Sequence, residues 1–267
     1  MAEHPMLMSR RIALSLVAAS AGLLLAACGK PAPEAAAPAP KALTVGTDPT
    51  YAPFEFQNDK GEIVGFDIDV MRAVAEKAGI TVEFVSTPWE GAFNALAQGD
   101  RDLLISAITI TDERKQTLDF SDSYFDAHQL IAVPEKSTVT KLDDLKKRKV
   151  GVQTSTTGEE VVAKLQGKNS ANIKRFESTP LALAELAAGG VDAVVADNGV
   201  IDNYVVNNPG AKFKAINDTS FAPEQYGIAV KKGNAELLQK INTGLAAIKA
   251  DGTYQKIHDQ HFKGAAK

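Results

Sequence analysis

Residues 43–262 alternate between short apolar segments and segments with helical spacing of apolar residues, and this alternation occurs twice. The predicted strands lie at 43–46, 81–85, 103–110, 150–152, 173–176, 193–195 and 226–230. The predicted helices lie at 67–78, 89–98, 159–166, 180–188, 199–206, 235–250 and 253–261. Two successive β-α-β-α-β series predict an α/β protein with two lobes, each built on a largely parallel sheet flanked by helices.

Polar segments follow the predicted strands of both series. They comprise residues 46–51, 106–114, 153–158 and 196–198. Ligands of open α/β sheets bind beyond the carboxyl ends of the strands. All four segments are therefore expected to face one crevice.

Composition excludes several classes of protein. The 267 residues contain 29 Lys and Arg against 33 Asp and Glu, for a formal net charge of −4, so no basic field for nucleic acid is present. The single cysteine excludes a disulfide scaffold, a Cys-ligated zinc site and a CxxC redox pair. The sequence predicts a monomer with no nucleic-acid partner, no cofactor and no metal site.

The N-terminus is typical of an export signal. Arg10 and Arg11 precede an apolar run over residues 12–27, which is shorter than the about 20 residues of a stable membrane span. The run ends in Leu25-Ala26-Ala27-Cys28, which resembles the lipobox of bacterial lipoproteins. We therefore predict a signal peptide over 1–27, lipidation of Cys28 and an extracytoplasmic protein anchored to a bilayer. The alternative is an idle cysteine at the end of an anchor helix.

Residues 28–42 are rich in alanine and proline and predict an extended tether that cannot pack a core. The folded body is expected to begin near residue 43. The tether would then join the lipid anchor to that body.

The expected crevice offers groups that suit a small zwitterion. Arg114 supplies a fork of donors for a carboxylate, and Asp197 supplies a carboxylate for an ammonium group. Residues 154–158 precede a helix, so free amides and the positive end of the helix dipole favour an anion. Asp48, Tyr51 and Trp89 would add an acid and two aromatic faces.

Plainer interpretations stay open for these residues. The arginine could be a solvated surface side chain, the aspartate at 197 an ordinary turn residue, and the aromatics part of the core. Asp67 and Asp69 could form a metal pair, although carboxylates at a helix start also favour the helix dipole. His258 and His261 have possible metal spacing, although a solvated terminal helix explains them equally well.

Several motifs occur in one order along the chain. They are Gly46-Thr47-Asp48-Pro49-Thr50-Tyr51-Ala52-Pro53-Phe54, Gly65-Phe66-Asp67-Ile68-Asp69-Val70, Thr109-Ile110-Thr111-Asp112-Glu113-Arg114, Val191-Asp192-Ala193 and Asp251-Gly252-Thr253-Tyr254. Together they resemble the bacterial extracellular solute-binding proteins of family 3, the polar amino-acid receptors of ABC importers.

The resemblance implies a bilobed clamp of type II with two hinge strands, near 124–128 and 222–226. Lobe 1 would then be discontinuous, comprising 43–125 and 226–262. Lobe 2 would comprise 126–225, and 263–267 would form a C-terminal tail.

The resemblance also implies roles for individual residues. Arg114 matches the arginine that grips the α-carboxylate, assisted by Thr109 and by amides near Thr156 and Thr157. Asp197 matches the acid that holds the α-ammonium group. The carbonyl of Ala107 matches a second acceptor for that ammonium group.

The remaining matches concern the ligand side chain. Asp48 matches an acid beside it, and Tyr51 and Trp89 match an aromatic pair that encloses it. Ala196 and Gln153 stand where glutamine receptors carry histidine and lysine, respectively. The resemblance thus implies a basic L-amino acid (arginine, lysine or histidine) as ligand, an ABC permease as partner and no enzymatic activity. The alternatives are glutamine as ligand, an enzyme like the cyclohexadienyl dehydratases and a protein that delivers ligand to a chemoreceptor.

Overall fold

A computed structural model describes residues 41–263, which build two five-stranded sheets flanked by helices. The strands are β1 (Leu43–Thr47), β2 (Thr50–Tyr51), β3 (Glu55–Gln57), β4 (Ile63–Val64), β5 (Val82–Ser86), β6 (Leu103–Leu104), β7 (Leu118–Phe120), β8 (Phe125–Ala127), β9 (Gln129–Pro134), β10 (Val150–Gln153), β11 (Ile173–Phe176), β12 (Ala193–Asp197), β13 (Phe213–Ile216), β14 (Glu224–Tyr226) and β15 (Ala229–Lys231). The helices are α1 (Phe66–Ala78), α2 (Trp89–Gln98), α3 (Arg114–Thr117), α4 (Thr157–Gln166), α5 (Thr179–Ala188), α6 (Asn198–Asn207), α7 (Ala235–Ala250) and α8 (Thr253–Phe262).

Both sheets are mixed rather than wholly parallel. The first sheet, in lobe 1, has the order β5-β1-β6-β15-β7. Strand β1 is parallel to its neighbours β5 and β6, whereas β15 is antiparallel to its neighbours β6 and β7. The second sheet, in lobe 2, has the order β11-β10-β12-β9-β13. Strand β10 is parallel to its neighbours β11 and β12, whereas β9 is antiparallel to its neighbours β12 and β13. The predicted parallel pattern therefore holds for three neighbouring strands of each sheet.

Helix α1 illustrates how the sequence forms the core of lobe 1. Its residues Val70, Val74 and Ala75 recur at helical spacing and are buried, and the helix packs against α7. Gly79 ends the helix with φ 65°, a left-handed conformation that glycine adopts without steric cost. The predicted end of this helix is confirmed.

Two short strands form a separate antiparallel sheet where the chain passes between the lobes. Strand β8 pairs with β14 so that Phe125 lies opposite Tyr226 and Ala127 lies opposite Glu224. These strands lie in the two segments that the resemblance identifies as hinge strands.

Two predicted strands differ from the structure. The strand predicted over 103–110 ends after Leu104, because the following residues leave the sheet to line a cleft and Ala107 adopts φ 46°. The strand predicted over 226–230 is divided into β14 and β15. Gly227 between them donates its N–H to the Ile108 carbonyl, so the chain bonds to a loop there instead of continuing the ladder.

Polar residues near three helix ends make specific contacts. The Thr111 hydroxyl accepts the N–H of Arg114, the first residue of α3, at 3.1 Å. Asp67 lies in the first turn of α1, where the helix dipole favours a carboxylate, and it is fully buried. His261 does not lie on a simply solvated helix, since its Nε2 atom lies 2.8 Å from Asp69 Oδ2.

Within residues 41–263, none of the helices combines the length and apolar character that crossing a bilayer requires. The predicted signal peptide, the lipidated Cys28 and most of the tether lie outside the described residues. Nearly all of the predicted tail lies outside them as well.

Candidate ligand-binding cleft

A cleft between the two lobes is lined by residues of both lobes. All four polar segments expected to face one crevice contribute to its lining, so that prediction is confirmed. The ten predicted binding residues all line this cleft: Asp48, Tyr51, Trp89, Ala107, Thr109, Arg114, Gln153, Thr156, Thr157 and Asp197. Their role in binding stays a prediction. Thr50, Glu55 and Ser106 complete the lining.

Arg114 is held at the lobe boundary by aromatic rings and backbone carbonyls. Its guanidinium carbon lies 5.3 Å from the Trp89 ring centroid and 5.2 Å from that of Phe93. Nη1 donates to the Thr109 carbonyl at 2.8 Å, and Nη2 donates to the Ser155 carbonyl at 3.3 Å. The side chain is thereby fixed in one orientation with donors left for an anion. It is not a freely solvated surface arginine.

The N-terminus of α4 lies beside this guanidinium. Thr156 is the N-cap residue, since its hydroxyl accepts the N–H of Glu159 at 3.2 Å and donates to the Gln153 carbonyl at 2.8 Å. The amides of Thr157 and Gly158 belong to the first turn, where N–H groups have no intrahelical acceptor. Together with Arg114 they form a positively charged end of the cleft suited to a carboxylate.

Asp197 forms the opposite, negatively charged part of the cleft. Its Oδ1 accepts a hydrogen bond from Gln129 Nε2 at 2.5 Å, and its Oδ2 accepts one from the Tyr226 hydroxyl. Burial raises the pKa of Asp197 to about 6, and the nearby charge of Glu224 adds to this shift. A bound cation would compensate for both effects.

Glu224 and Gln129 are functional candidates that the sequence reasoning missed. Glu224 Oε2 accepts the hydroxyls of Thr109 at 2.6 Å and Thr157 at 2.9 Å, and its Oε1 accepts Gln129 Nε2 at 2.9 Å. This carboxylate therefore bonds to groups from both lobes. Because the Thr109 hydroxyl donates its proton to Glu224, it can only accept from a ligand, which suits an ammonium group.

The only sequence signal for Glu224 is its place within a segment, 222–226, that the resemblance identifies as a hinge strand. Gln129 carries no signal of its own, because a glutamine at the start of an apolar strand belongs to none of the motifs.

Asp48, Tyr51 and Trp89 form a third part of the cleft. Asp48 Oδ2 accepts the backbone N–H of Trp89 at 3.0 Å, and its Oδ1 accepts the Thr50 hydroxyl at 3.0 Å. Burial raises the pKa of Asp48 above its usual value, whereas these two hydrogen bonds act in the opposite direction. Trp89 Nε1 reaches across the cleft and donates to the Thr154 carbonyl at 3.1 Å. The aromatics thus combine core packing with a cleft-facing position.

Gln153 lines the cleft, but both ends of its amide are engaged elsewhere. Nε2 donates to the Glu177 carbonyl at 3.1 Å, and Oε1 accepts the Thr179 hydroxyl at 3.0 Å. In this arrangement the side chain joins β10 to the start of α5.

The comparisons with known proteins agree with this fold and cleft. The model of the bacterial extracellular solute-binding proteins, family 3, matches residues 43–264. A probable histidine-binding protein from Neisseria gonorrhoeae is 43% identical over 259 residues, which cover 96% of each chain. The ABC transporter arginine-binding protein 1 of Escherichia coli K12 is 32% identical, covering 85% of this chain and 93% of that protein.

A solved structure extends the similarity to three dimensions. The arginine-, lysine-, histidine-binding protein ArtJ from Geobacillus stearothermophilus is 45% identical and has a TM-score of 0.81. The alignment covers 84% of this chain and 96% of that one. On the family match, the shared fold and these identities, the chain belongs to family 3 of the bacterial extracellular solute-binding proteins.

Proposed function

We propose that this protein is an extracytoplasmic receptor that binds a basic L-amino acid between its lobes and delivers it to an ABC permease. The observation that carries the proposal is that Arg114 and Asp197, which are opposite in charge, line the same cleft. Arg114 and the α4 amides would bind the α-carboxylate. Asp197, the Ala107 carbonyl and the Thr109 hydroxyl would bind the α-ammonium group.

The charges of the cleft favour a basic ligand over glutamine. The side chains that line the cleft include one base, Arg114, and three acids, Asp48, Glu55 and Asp197. Burial raises the pKa of Glu55 well above its usual range, which favours the neutral form of this acid. With Glu55 neutral, the lining side chains carry one net negative charge, and the nearby carboxylate of Glu224 adds to it, which favours the net positive charge of arginine or lysine. The named ligands of the similar proteins, histidine, arginine and lysine, support the same choice.

Ligand binding would stabilise the closed arrangement of the lobes. Hydrogen bonds already join the lobes in this structure, among them those from Trp89 Nε1 to the Thr154 carbonyl and from Arg114 Nη2 to the Ser155 carbonyl. A zwitterion bound by both lobes would add bonds that exist only when the lobes meet, and so would shift the population toward closure. Strands β8 and β14 are the proposed hinge, with lobe boundaries at 125/126 and 225/226.

Calorimetric titration of the purified protein with arginine, lysine, histidine and glutamine tests the proposal. At least one basic amino acid should bind with a Kd between about 1 nM and 1 μM, and glutamine should bind more weakly. Turnover assays with prephenate and arogenate, run in parallel, should detect no product, because the cleft acids are engaged in hydrogen bonds. Absence of binding to every basic amino acid would refute the proposed ligand class.

Arginine binding should weaken at acidic pH. The free protein holds a proton on Asp197 below about pH 6, and this proton must leave before the carboxylate can pair with the ammonium group. Affinity should therefore be about tenfold lower at pH 5 than at pH 7, measured by calorimetry. The free ligand does not titrate in this window, and an Asp48→Asn variant should keep the same dependence. A flat pH profile would exclude ionisation of Asp197 as a condition of binding.

We propose in addition that lipidation of Cys28 anchors the protein to a membrane, as the sequence around it predicts. Fractionation of cells that express the wild type should place the protein in the membrane fraction. A Cys28→Ser variant should lose the anchor, and its mass should lack an acyl group. If the variant and the wild type fractionate identically, and neither carries an acyl group at residue 28, the cysteine is not the anchor.

A further inference from the structure

Two acidic side chains, Glu55 of β3 and Asp67 of α1, lie together behind the wall of the cleft. Both are fully buried, with 0% exposure, and their carboxyl groups are within hydrogen-bonding reach of each other. Glu55 Oε2 and Asp67 Oδ1 receive no hydrogen bond from any donor among the described residues. Two facing oxygens without donors would repel each other if both groups were ionised.

The other two oxygens of the pair hold consecutive residues of the cleft wall. Glu55 Oε1 accepts the hydroxyl of Ser106 at 2.8 Å, and Asp67 Oδ2 accepts the backbone N–H of Ala107 at 2.7 Å. Ser106 Oγ in turn accepts the backbone N–H of Asp48 at 3.0 Å. Ala107 has φ 46°, a conformation that a residue with a Cβ atom rarely adopts. The bond to Asp67 is the restraint that keeps it there.

Within residues 41–263, the titratable groups that interact with this pair are Asp48 at the cleft, Tyr51, Tyr124, Tyr254 and His261. His261 Nε2 is engaged with Asp69 Oδ2 at 2.8 Å, and the Tyr124 hydroxyl donates to Asp67 Oδ2 at 2.8 Å. Within residues 41–263, neither Glu55 nor Asp67 takes part in an ion pair.

We propose that Glu55 and Asp67 share one proton, and that the singly charged pair positions Ser106 and Ala107 in the wall that faces the ligand. The link to the ligand rests on the proposed function, whereas the shared proton does not. The proton resides on Glu55, because Asp67 already accepts two hydrogen bonds that stabilise its ionised form. The Glu55 hydroxyl then donates to Asp67, and both orphan oxygens are satisfied.

The shared proton is tested by the pH dependence of unfolding in a Glu55→Gln variant. The glutamine amide can donate to Asp67 and accept from Ser106, but it cannot lose a proton. Folded wild-type protein holds a proton on Glu55 that the unfolded chain has released, so wild-type stability falls as pH rises. From pH 5 upward, above the usual pKa of an unfolded glutamate, the unfolding equilibrium constant of the wild type should therefore rise relative to that of the variant, by up to about tenfold per pH unit, measured by urea denaturation.

The control is Glu62→Gln, which replaces an exposed carboxyl group and should show the wild-type pH profile. Parallel profiles for wild type and Glu55→Gln would overturn the shared proton. This comparison does not depend on ligand binding, so it stands even if no basic amino acid binds.

The positioning role is tested by arginine affinity at pH 7. Glu55→Gln and Asp67→Asn preserve a donor and an acceptor in the pair and should bind arginine within about threefold of the wild type. Glu55→Ala and Asp67→Ala should lose at least tenfold. Wild-type affinity in both alanine variants would overturn the positioning role. If the alanine variants do not fold, a loss of more than tenfold in both amide variants would overturn it instead.

Discussion

Replacing Arg114 by alanine is expected to weaken arginine binding about a thousandfold, or about 4 kcal/mol. The substitution removes the guanidinium that is held between Trp89 and Phe93 and leaves the ligand carboxylate without a charged partner in a buried cleft. The α4 amides would remain, so some affinity is retained. Calorimetric titration measures the loss, and circular dichroism checks that the fold is intact.

The matched control is Arg72→Ala, which removes an exposed arginine from α1. The Arg72 guanidinium lies 5.4 Å from the Phe84 ring centroid and contacts Asp69 only at 3.9 Å. This variant should bind arginine as the wild type does. Equal affinities for wild type and Arg114→Ala would remove Arg114 from the binding site and leave the proposed orientation of the ligand without support.

The Asp197→Asn variant should show opposite effects on binding and on stability. Binding of arginine should fall by at least a hundredfold, or about 3 kcal/mol, because the neutral amide cannot pair with a buried ammonium group. Asparagine keeps an oxygen for Gln129, but its amide nitrogen would face the Tyr226 hydroxyl as a donor, so the bond from that hydroxyl to residue 197 is lost or reversed. Calorimetric titration of the Asp197→Asn variant with arginine measures the loss of binding.

The stability effect follows from the pKa of Asp197. Burial raises this pKa from 3.8 to about 6, so between pH 4 and 6 the folded wild type binds a proton that the unfolded chain has lost. Wild-type stability therefore falls as pH rises through this window, and the loss is complete by pH 7. The variant does not titrate there, so its free energy of unfolding should exceed that of the wild type by about 1–3 kcal/mol at pH 7.

The measurement is urea denaturation of both proteins at pH 4 and pH 7. The difference should be small at pH 4 and largest at pH 7. A variant that is less stable than the wild type at pH 7 would mean that the hydrogen bonds of Asp197 outweigh the cost of burying its charge.

The placement of Arg114 and Asp197 could be predicted from sequence because it depends mainly on topology. Each lies in a polar segment that follows an apolar strand segment of its own lobe, and ligands of open α/β sheets bind beyond the carboxyl ends of the strands. The helix bounds were predictable for a similar reason, since glycine at positions 79, 99 and 189 ends α1, α2 and α5 in a left-handed conformation.

The long-range polar contacts could not be predicted. Gln129 and Glu224 bond across 95 residues, and Asp67 holds Ala107 across 40 residues. No periodicity or local motif encodes such pairs, because their geometry depends on how distant segments of the chain pack together. The same limit explains the overlong strand at 103–110: its apolar residues continue past Leu104, while the contact with Asp67 turns the chain away.

The position of β15 affects how the protein can be assembled. This strand fills the gap between β6 and β7, yet it lies more than a hundred residues after both of them in the chain. Lobe 2 can complete its own sheet from residues 129–216 alone. During synthesis, lobe 2 can therefore fold first. The sheet of lobe 1 stays incomplete, with no strand between β6 and β7, until residue 231 has emerged. A chain released before that point would carry two unpaired strand edges, which makes it prone to self-association.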